Sequence, residues 1–288
     1  MVRTLTLAAI ATTLLGLPAD AGMRYYAAGV GQSDWRVTAA NPLQCRLEHS
    51  IPHYGTAVFS ARASRKENLL FELSLRDAPS HQVKATLASV PPPWQPGRST
   101  QSLGTVPLYP HYPAQVNDDR AWDMLSELDA GYLPTFTYKD RLGRNVVSVA
   151  LSASNFKQGY QQFMSCVSSL LPVSFDDIRF SVLTYKKNSP ELTLDSRQRL
   201  DLLGQYLKND NAFSKVEVSA YSDSYGGRWL NQQLSEKRAR AIKDYLVSKG
   251  LPAARISTAG YGEKRHIASN ETEQGRALNR RVVIHVER

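Results

Sequence analysis

Asp223 and Arg238 are the residues of this chain whose types and setting best support chemistry. They bound most of the stretch VEVSAYSDSYGGRWLNQQLSEKR, which runs from Val216 to Arg238. Projected at about 100° per residue, Arg238 falls inside the apolar face of the helix predicted after the loop, between Leu234 and Ile242. Glu236, Arg240 and Lys243 fall outside that face. A guanidinium so placed needs a partner, because an unpaired buried charge costs several kcal/mol. Asp223, at the mouth of the preceding strand, is the candidate to sit near it. Two readings stand side by side. The pair is scaffold, each group neutralising the other; or the two, held a few ångströms apart at a loop-rimmed junction, receive a zwitterion. In the second case the carboxylate takes a ligand ammonium and the guanidinium fork takes a ligand carboxylate in bidentate fashion.

Several elements must position this pair. Val216, Val218 and Ala220 alternate with Glu217, Ser219 and Tyr221, a strand pattern that ends at Ser222-Asp223-Ser224 and the flexible Gly226-Gly227. The helix begins near Arg228 to Asn231, and Leu230, Leu234, Ala241, Ile242, Tyr245 and Leu246 recur at helical spacing as its apolar face. Around this unit the spacing predicts a strand over 178–185, an amphipathic helix over 192–208 carrying Leu200, Leu203 and Leu207, a strand over 256–259, a helix near 270–278 and a closing strand over 281–286. Strands alternating with helices and a final antiparallel edge imply an α/β sandwich of mixed sheet with helices on one face. Gly260-Tyr261-Gly262 is a turn and lacks the glycine spacing and Lys of a phosphate loop.

These residues resemble the OmpA-like peptidoglycan-binding domain. The resemblance is carried by Asp223, Asn231, Leu234-Ser235, Arg238-Ala239, then Gly260-Tyr261-Gly262-Glu263, Asn270 and Asn279-Arg280-Arg281-Val282. It implies that Asp223 and Arg238 hold the amino and carboxyl groups of diaminopimelate in the peptidoglycan stem peptide, with Asn231, Leu234, Ser235 and Arg280 completing the site. The chain departs from the family at Ala220-Tyr221-Ser222-Asp223, where Gly-His-Thr/Ser-Asp is usual. That departure bears on tightness of binding rather than on fold.

Met1 to Ala21 has one early positive charge, an apolar run from Leu5 to Leu17 and a small-residue cleavage signal at Ala19-Asp20-Ala21, so it reads as a signal peptide. The competing reading, a membrane anchor, meets a run shorter than the roughly 20 residues a span needs. No Cys follows for lipid attachment, and no other segment approaches a span. The expected product is a soluble exported protein. Its net charge of +9 is interleaved with acids and is heavier in the second half, which suits acidic cell-wall polymers better than nucleic acid. The two cysteines, Cys45 and Cys166, read first as a disulfide; the alternative, metal ligation, lacks a His or further Cys at chelating spacing.

The first half is β-rich. Residues 46–49, 57–61 and 69–76 alternate or run apolar, and Leu69, Phe71, Leu73 and Leu75 share one strand face in a half-buried antiparallel sheet. Pro91-Pro92-Pro93-Trp94-Gln95-Pro96-Gly97 reads as a rigid loop with Trp94 packed on the domain, ahead of the alternative of a partner motif. Asp118 or Asp119 caps a short helix carrying Ala121, Trp122, Leu125 and Leu128, which Gly131 ends. Residues 134–138 and 145–151 flank a hairpin turn at 140–144, and a helix over 155–171 carries Phe156, Tyr160, Phe163, Val167 and Leu170. His49, His53 and His81 are separated by loops or strand breaks and are not expected to ligate a metal.

The wording of this half resembles the MotY family, periplasmic proteins of the sodium-driven polar flagellar motor. The resemblance rests on Leu43-x-Cys45, Ile51-Pro52, Ala57-Val58-Phe59-Ser60-x-Arg62-Ala63-Ser64, Phe71-Glu72-Leu73, Pro91 to Gly97 and Leu125-Ser126-Glu127-Leu128. The expectation is therefore an α+β protein: a signal peptide over 1–21, a β-rich basal-body-binding domain with a few helices over 22–173, and a peptidoglycan-binding domain over 174–288. The resemblance further implies a periplasmic T ring formed with MotX that recruits or holds PomA/PomB-type stator units. No cofactor, metal or catalytic residue is expected. Two rivals are a generic wall-anchoring envelope protein and a wall hydrolase using Asp223 with a second carboxylate. Against the hydrolase, Glu217 and Glu236 occupy solvent-facing positions, and no Ser/His/Asp or metal spacing accompanies them.

Overall fold

Alternating apolar residues in the first half build two five-stranded sheets around one core. The computed structural model describes residues 22–64, 66, 68–75, 78–186 and 189–288, so the predicted signal peptide and the Arg76 end of a predicted strand lie outside it. The elements in order are β1 (Met23–Tyr26), β2 (Trp35–Asn41), β3 (Gln44–Ile51), β4 (Gly55–Arg62), β5 (Leu70–Leu73), β6 (Val83–Val90), β7 (Gln101–Leu108), β8 (Ala114–Asn117), α1 (Asp118–Asp129), β9 (Leu133–Lys139), β10 (Val146–Ala150) and α2 (Phe156–Val167). One sheet has the order β2-β3-β4-β5-β8 and the other β1-β10-β9-β6-β7.

Register aligns the apolar faces. Leu47 lies opposite Phe59, Phe59 opposite Phe71 and Phe71 opposite Val116, while Glu48, Glu72 and Gln115 point to the other face. In the second sheet Leu87 lies opposite Phe136 and Phe136 opposite Val149. The two faces meet where the Phe71 and Phe136 rings stack at 5.6 Å. Leu69, Phe71 and Leu73 are buried and Leu75 packs against the same core.

Helix α2 lies close on the first sheet, and two features hold it there. A Cβ on Gly159 would come within 2.7 Å of the Trp35 carbonyl oxygen, so only glycine permits this approach. Cys166 on α2 is bonded to Cys45 on β3 across a sequence separation of 121. The helix ends at Val167, short of the predicted Leu171, and hydrogen-bonded turns carry the chain through Ser168, Ser169 and Leu170.

Two local expectations for this half are corrected. Asn117, not Asp118 or Asp119, precedes α1, and its side chain makes no cap; the Asp118 amide donates to the Leu69 carbonyl at 2.8 Å, so sheet backbone serves the helix start. Trp94 is not packed on the domain but 65% exposed. A tight turn closed by the Gln95 amide on the Pro92 carbonyl buries the Gln95 side-chain oxygen instead.

The second half comprises α3 (Phe175–Ile178), β11 (Phe180–Thr184), α4 (Leu194–Asn209), β12 (Lys215–Ala220), α5 (Arg228–Ser248), β13 (Ile256–Gly260), α6 (Glu273–Asn279) and β14 (Arg281–Glu287). Thr193 and Thr272 cap α4 and α6 by accepting from the Ser196 and Gly275 amides, which sets both starts a little later than the periodicity predicts. The sheet order is β11-β14-β12-β13. The closing strand, expected at an antiparallel edge, is therefore internal and pairs antiparallel with both β11 and β12. Its side chains Val282, Ile284 and Val286 are buried in a core that includes Val216, Val218, Leu203, Ile242 and Leu246. An edge position would have left such a strand half uncovered. The same core takes in Ala63, Leu171 and Val173, so the two halves share apolar contact at their junction. Among the described residues no helix is long and apolar enough to cross a membrane.

Candidate functional site

Helix α5 buries a different stripe from the one its apolar residues mark. Asn231, Ser235, Arg238, Ala239, Ile242 and Leu246 are buried, whereas Leu230 is 61% and Leu234 39% exposed, and Ala241 is also exposed. The expected apolar face thus holds only at the C-terminal end of the helix. The polar residues are buried because the turn after β13 closes on them and supplies hydrogen bonds. The Gly262 amide donates to Ser235 Oγ at 2.9 Å, and Asn231 Nδ2 donates to Glu263 Oε2 at 3.2 Å. A Cβ on Gly260 would meet the Glu236 amide nitrogen at 2.5 Å, so this packing requires glycine. Glu263 also accepts from Arg228 Nε, and these two hydrogen bonds hold its carboxyl below the usual range.

Asp223 sits just beyond β12 with its carboxylate buried and oriented. Oδ2 accepts from Arg280 Nη1 at 2.8 Å, and Oδ1 accepts from the Tyr225 amide at 3.2 Å. The internal place of β14 delivers this partner, because Ala220 lies opposite Val282 and the Tyr221 amide donates to the Arg281 carbonyl. Arg280 Nη2 donates to Glu273 Oε1 at 3.0 Å. Burial opposes the Arg280 charge, but the hydrogen bonds to Asp223 and Glu273 outweigh it and raise the pKa. Asn279 ties down the adjoining loop, accepting from the Ile267 and Ala268 amides and donating to Asn270. Asn270 in turn accepts from the Ser224 amide at 3.2 Å.

Arg238 is 8% exposed and makes no direct ion pair with Asp223, whose partner is Arg280. Its guanidinium lies 4.1 Å over the Tyr185 ring, and its Nε and Nη1 are buried with no hydrogen-bond partner among the described residues. Burial lowers its pKa, against the attraction of Tyr185 and of the Asp223 charge, and Arg280 adds repulsion. Burial likewise pushes the Tyr185 hydroxyl up to about 12, with Arg238 pulling the other way. The arrangement thus joins a carboxylate already anchored on one side to a guanidinium whose donors are unspent, and Asp223 is near enough for its charge to act on Arg238. A pair of this kind can bind a group carrying both charges.

Tyr185, Glu263 and Glu273 take part in this geometry and were not among the residues expected to form it. Tyr185 lies just past β11, in an isolated bridge with Leu192, and no local pattern marks it. Glu263 stood inside the quoted Gly-Tyr-Gly-Glu run and could have been singled out there. Tyr221, which departs from the family's usual residue, is buried between Arg281, 4.0 Å above its ring, and the stacked ring of Tyr261 at 5.2 Å. Arg265 covers the far side of Tyr261. Elsewhere, Glu217, His285 and Glu287 bring three donor atoms within 4.8 Å of one another among the described residues. Lys215 ion-pairs with Glu217 there, so the trio reads as a surface charge cluster.

Comparison with known proteins places this geometry in a family. The OmpA family matches residues 184–280, the segment that holds every residue of the site. Over 117 residues the chain is 41% identical to outer membrane porin F of Pseudomonas fluorescens, covering 41% of this chain and 32% of that protein. The solved peptidoglycan-associated lipoprotein of Burkholderia pseudomallei is similar at 23% identity and a TM-score of 0.34, over 37% of this chain and 89% of that one. The sodium-type flagellar protein MotY of Vibrio parahaemolyticus is 40% identical over 264 residues, which cover 91% of this chain and 90% of that protein. Because the MotY N-terminal domain family also matches residues 26–172, ahead of the OmpA segment, the chain belongs to the MotY family.

Proposed function

We propose that this protein is a non-enzymatic structural component of the flagellar motor that anchors the motor to the cell wall. Residues 174–288 bind peptidoglycan, and residues 22–173 bind the basal body, forming the periplasmic T ring with MotX and holding PomA/PomB-type stator units around the rotor. The observation that carries the wall-binding part is the buried Arg238 guanidinium with Nε and Nη1 unpaired beside the oriented Asp223 carboxylate. Diaminopimelate in the stem peptide offers an amino group to Asp223 and a carboxylate to Arg238. Asn231 and Ser235 pin the β13 turn against α5, Arg280 holds Asp223 in place, and Leu234 forms an exposed wall one helical turn from Arg238. Two tethered contacts on one chain make the second contact intramolecular, so a modest wall affinity is enough to resist torque. Export by the Met1–Ala21 leader to the periplasm completes the reading.

The test is sedimentation of the purified mature protein with isolated sacculi. The wild type should co-sediment, and Asp223→Ala and Arg238→Ala should each abolish it. Co-sedimentation by both variants with unchanged circular dichroism would overturn the site.

A further inference from the structure

The loop and first helical turn beside Asp223 expose aromatic side chains that the stem-peptide site does not use. Tyr225 is 84% and Trp229 69% exposed, and the apolar surface continues through Leu230 to Leu234, which borders Arg238 one turn on. Exposed aromatics collected on one short stretch mark a binding surface more often than scattered ones do. This stretch is physically continuous with the site. The Tyr225 amide is bonded to Asp223, and Trp229 lies between Arg228 and Asn231 in sequence, residues that both donate to Glu263. Gly226, at φ 101°, and Gly227 let the loop turn over the helix start.

We infer that Tyr225 and Trp229 form a second subsite, a stacking platform for an amino-sugar ring of the glycan strand that carries the stem peptide. The inference rests on the peptidoglycan reading above. Three features select a sugar as the occupant. A stem peptide seated at Asp223 and Arg238 is covalently joined to its glycan, so a sugar ring is held within a few peptide units of the pair. Sugar rings present C–H faces that lie flat on aromatic rings, and Trp and Tyr add a polar tip. The start of α5 also offers a planar hydrogen-bonding group suited to hydroxyl and acetamido groups: the largely exposed Arg228 guanidinium, bonded to Glu263, stands next to Trp229 in sequence.

The mature full chain is titrated calorimetrically with the free diaminopimelate-containing stem peptide and with the same peptide on its disaccharide. The wild type should bind the disaccharide form about fivefold to tenfold more tightly, the range of one aromatic contact. Trp229→Ala should remove that difference and leave the affinity for free peptide unchanged, while Trp229→Phe should retain most of it. Equal affinity of the wild type for both ligands would overturn the platform and leave the stem-peptide site standing. A difference that persists in Trp229→Ala would also overturn it, because the sugar would then be held elsewhere. Absence of binding by either ligand would overturn the platform together with the site on which it rests.

Discussion

Replacing Arg238 by methionine should stabilise the protein and abolish its ligand binding. Each buried donor without a partner costs on the order of 1–3 kcal/mol, and Arg238 has two such atoms, Nε and Nη1. Its contact with the Tyr185 ring at 4.1 Å returns roughly 1–2 kcal/mol. Methionine keeps an unbranched apolar chain over the same ring and removes the desolvation cost, so with about 1.5 kcal/mol taken for each donor the net gain should be about 1–2 kcal/mol, as when buried ionic groups are replaced by apolar ones. In a domain of this size that raises the melting temperature by roughly 3–6 °C. Differential scanning calorimetry of the mature chain reads it directly. Addition of stem peptide at about 100 times its dissociation constant should then stabilise the wild type by about 2.7 kcal/mol and leave Arg238→Met unmoved. A variant that melts lower than the wild type without ligand would refute the claim that this guanidinium is held in waiting at a cost to stability.

Other outcomes follow from the fold. Mature protein should show no free thiol in denaturant until it is reduced, and replacing Cys45 and Cys166 together by alanine should cost up to about 4–5 kcal/mol of stability, read from urea midpoints, because the bond closes a loop across a separation of 121. Gly159→Ala should destabilise by about 1–3 kcal/mol in the same assay, since its Cβ would press on Trp35 backbone. His49 is fully buried, stacked on Trp35 at 4.3 Å, and its pKa is lowered by burial, against the Asp34 carbonyl bond and charge. The unfolded chain therefore takes up this proton first: the stability His49 confers is complete above about pH 6.5 and is lost as the pH falls below that toward the lowered folded value. Urea midpoints between pH 7.5 and 5 should fall more steeply for the wild type than for His49→Gln; parallel curves would refute the assignment. In a deletion strain, residues 22–173 exported alone should reach the flagellar pole yet restore little swimming, and polar localisation by residues 174–288 alone would reverse the division of labour.

The sequence by itself determined those segments whose apolar residues repeat at strand or helix spacing, and it left β1, β2, β6, β7, β8 and α3 unmarked. Alternation at Leu69, Phe71 and Leu73 or at Val216, Val218 and Ala220 states a face, because period-2 burial is a property of one strand alone. The Asp223, Arg238 and Asn279-Arg280 motifs were legible in the same way, as residue types at fixed offsets. The tertiary structure decided their partners. Asp223 meets Arg280 across 57 positions of sequence, Asn231 meets Glu263 across 32, and Ser235 meets Gly262 across 27. None of these follows from a helical projection, which ranks residues by their preference for burial and is silent about which neighbouring backbone closes on them. For that reason Leu230 and Leu234 read as core and lie at the surface, while Asn231, Ser235 and Arg238 are buried. The central place of β14 belongs to the same class. It depends on two strands, β11 and β12, accepting one strand between them, and it is this insertion that carries Arg280 to Asp223.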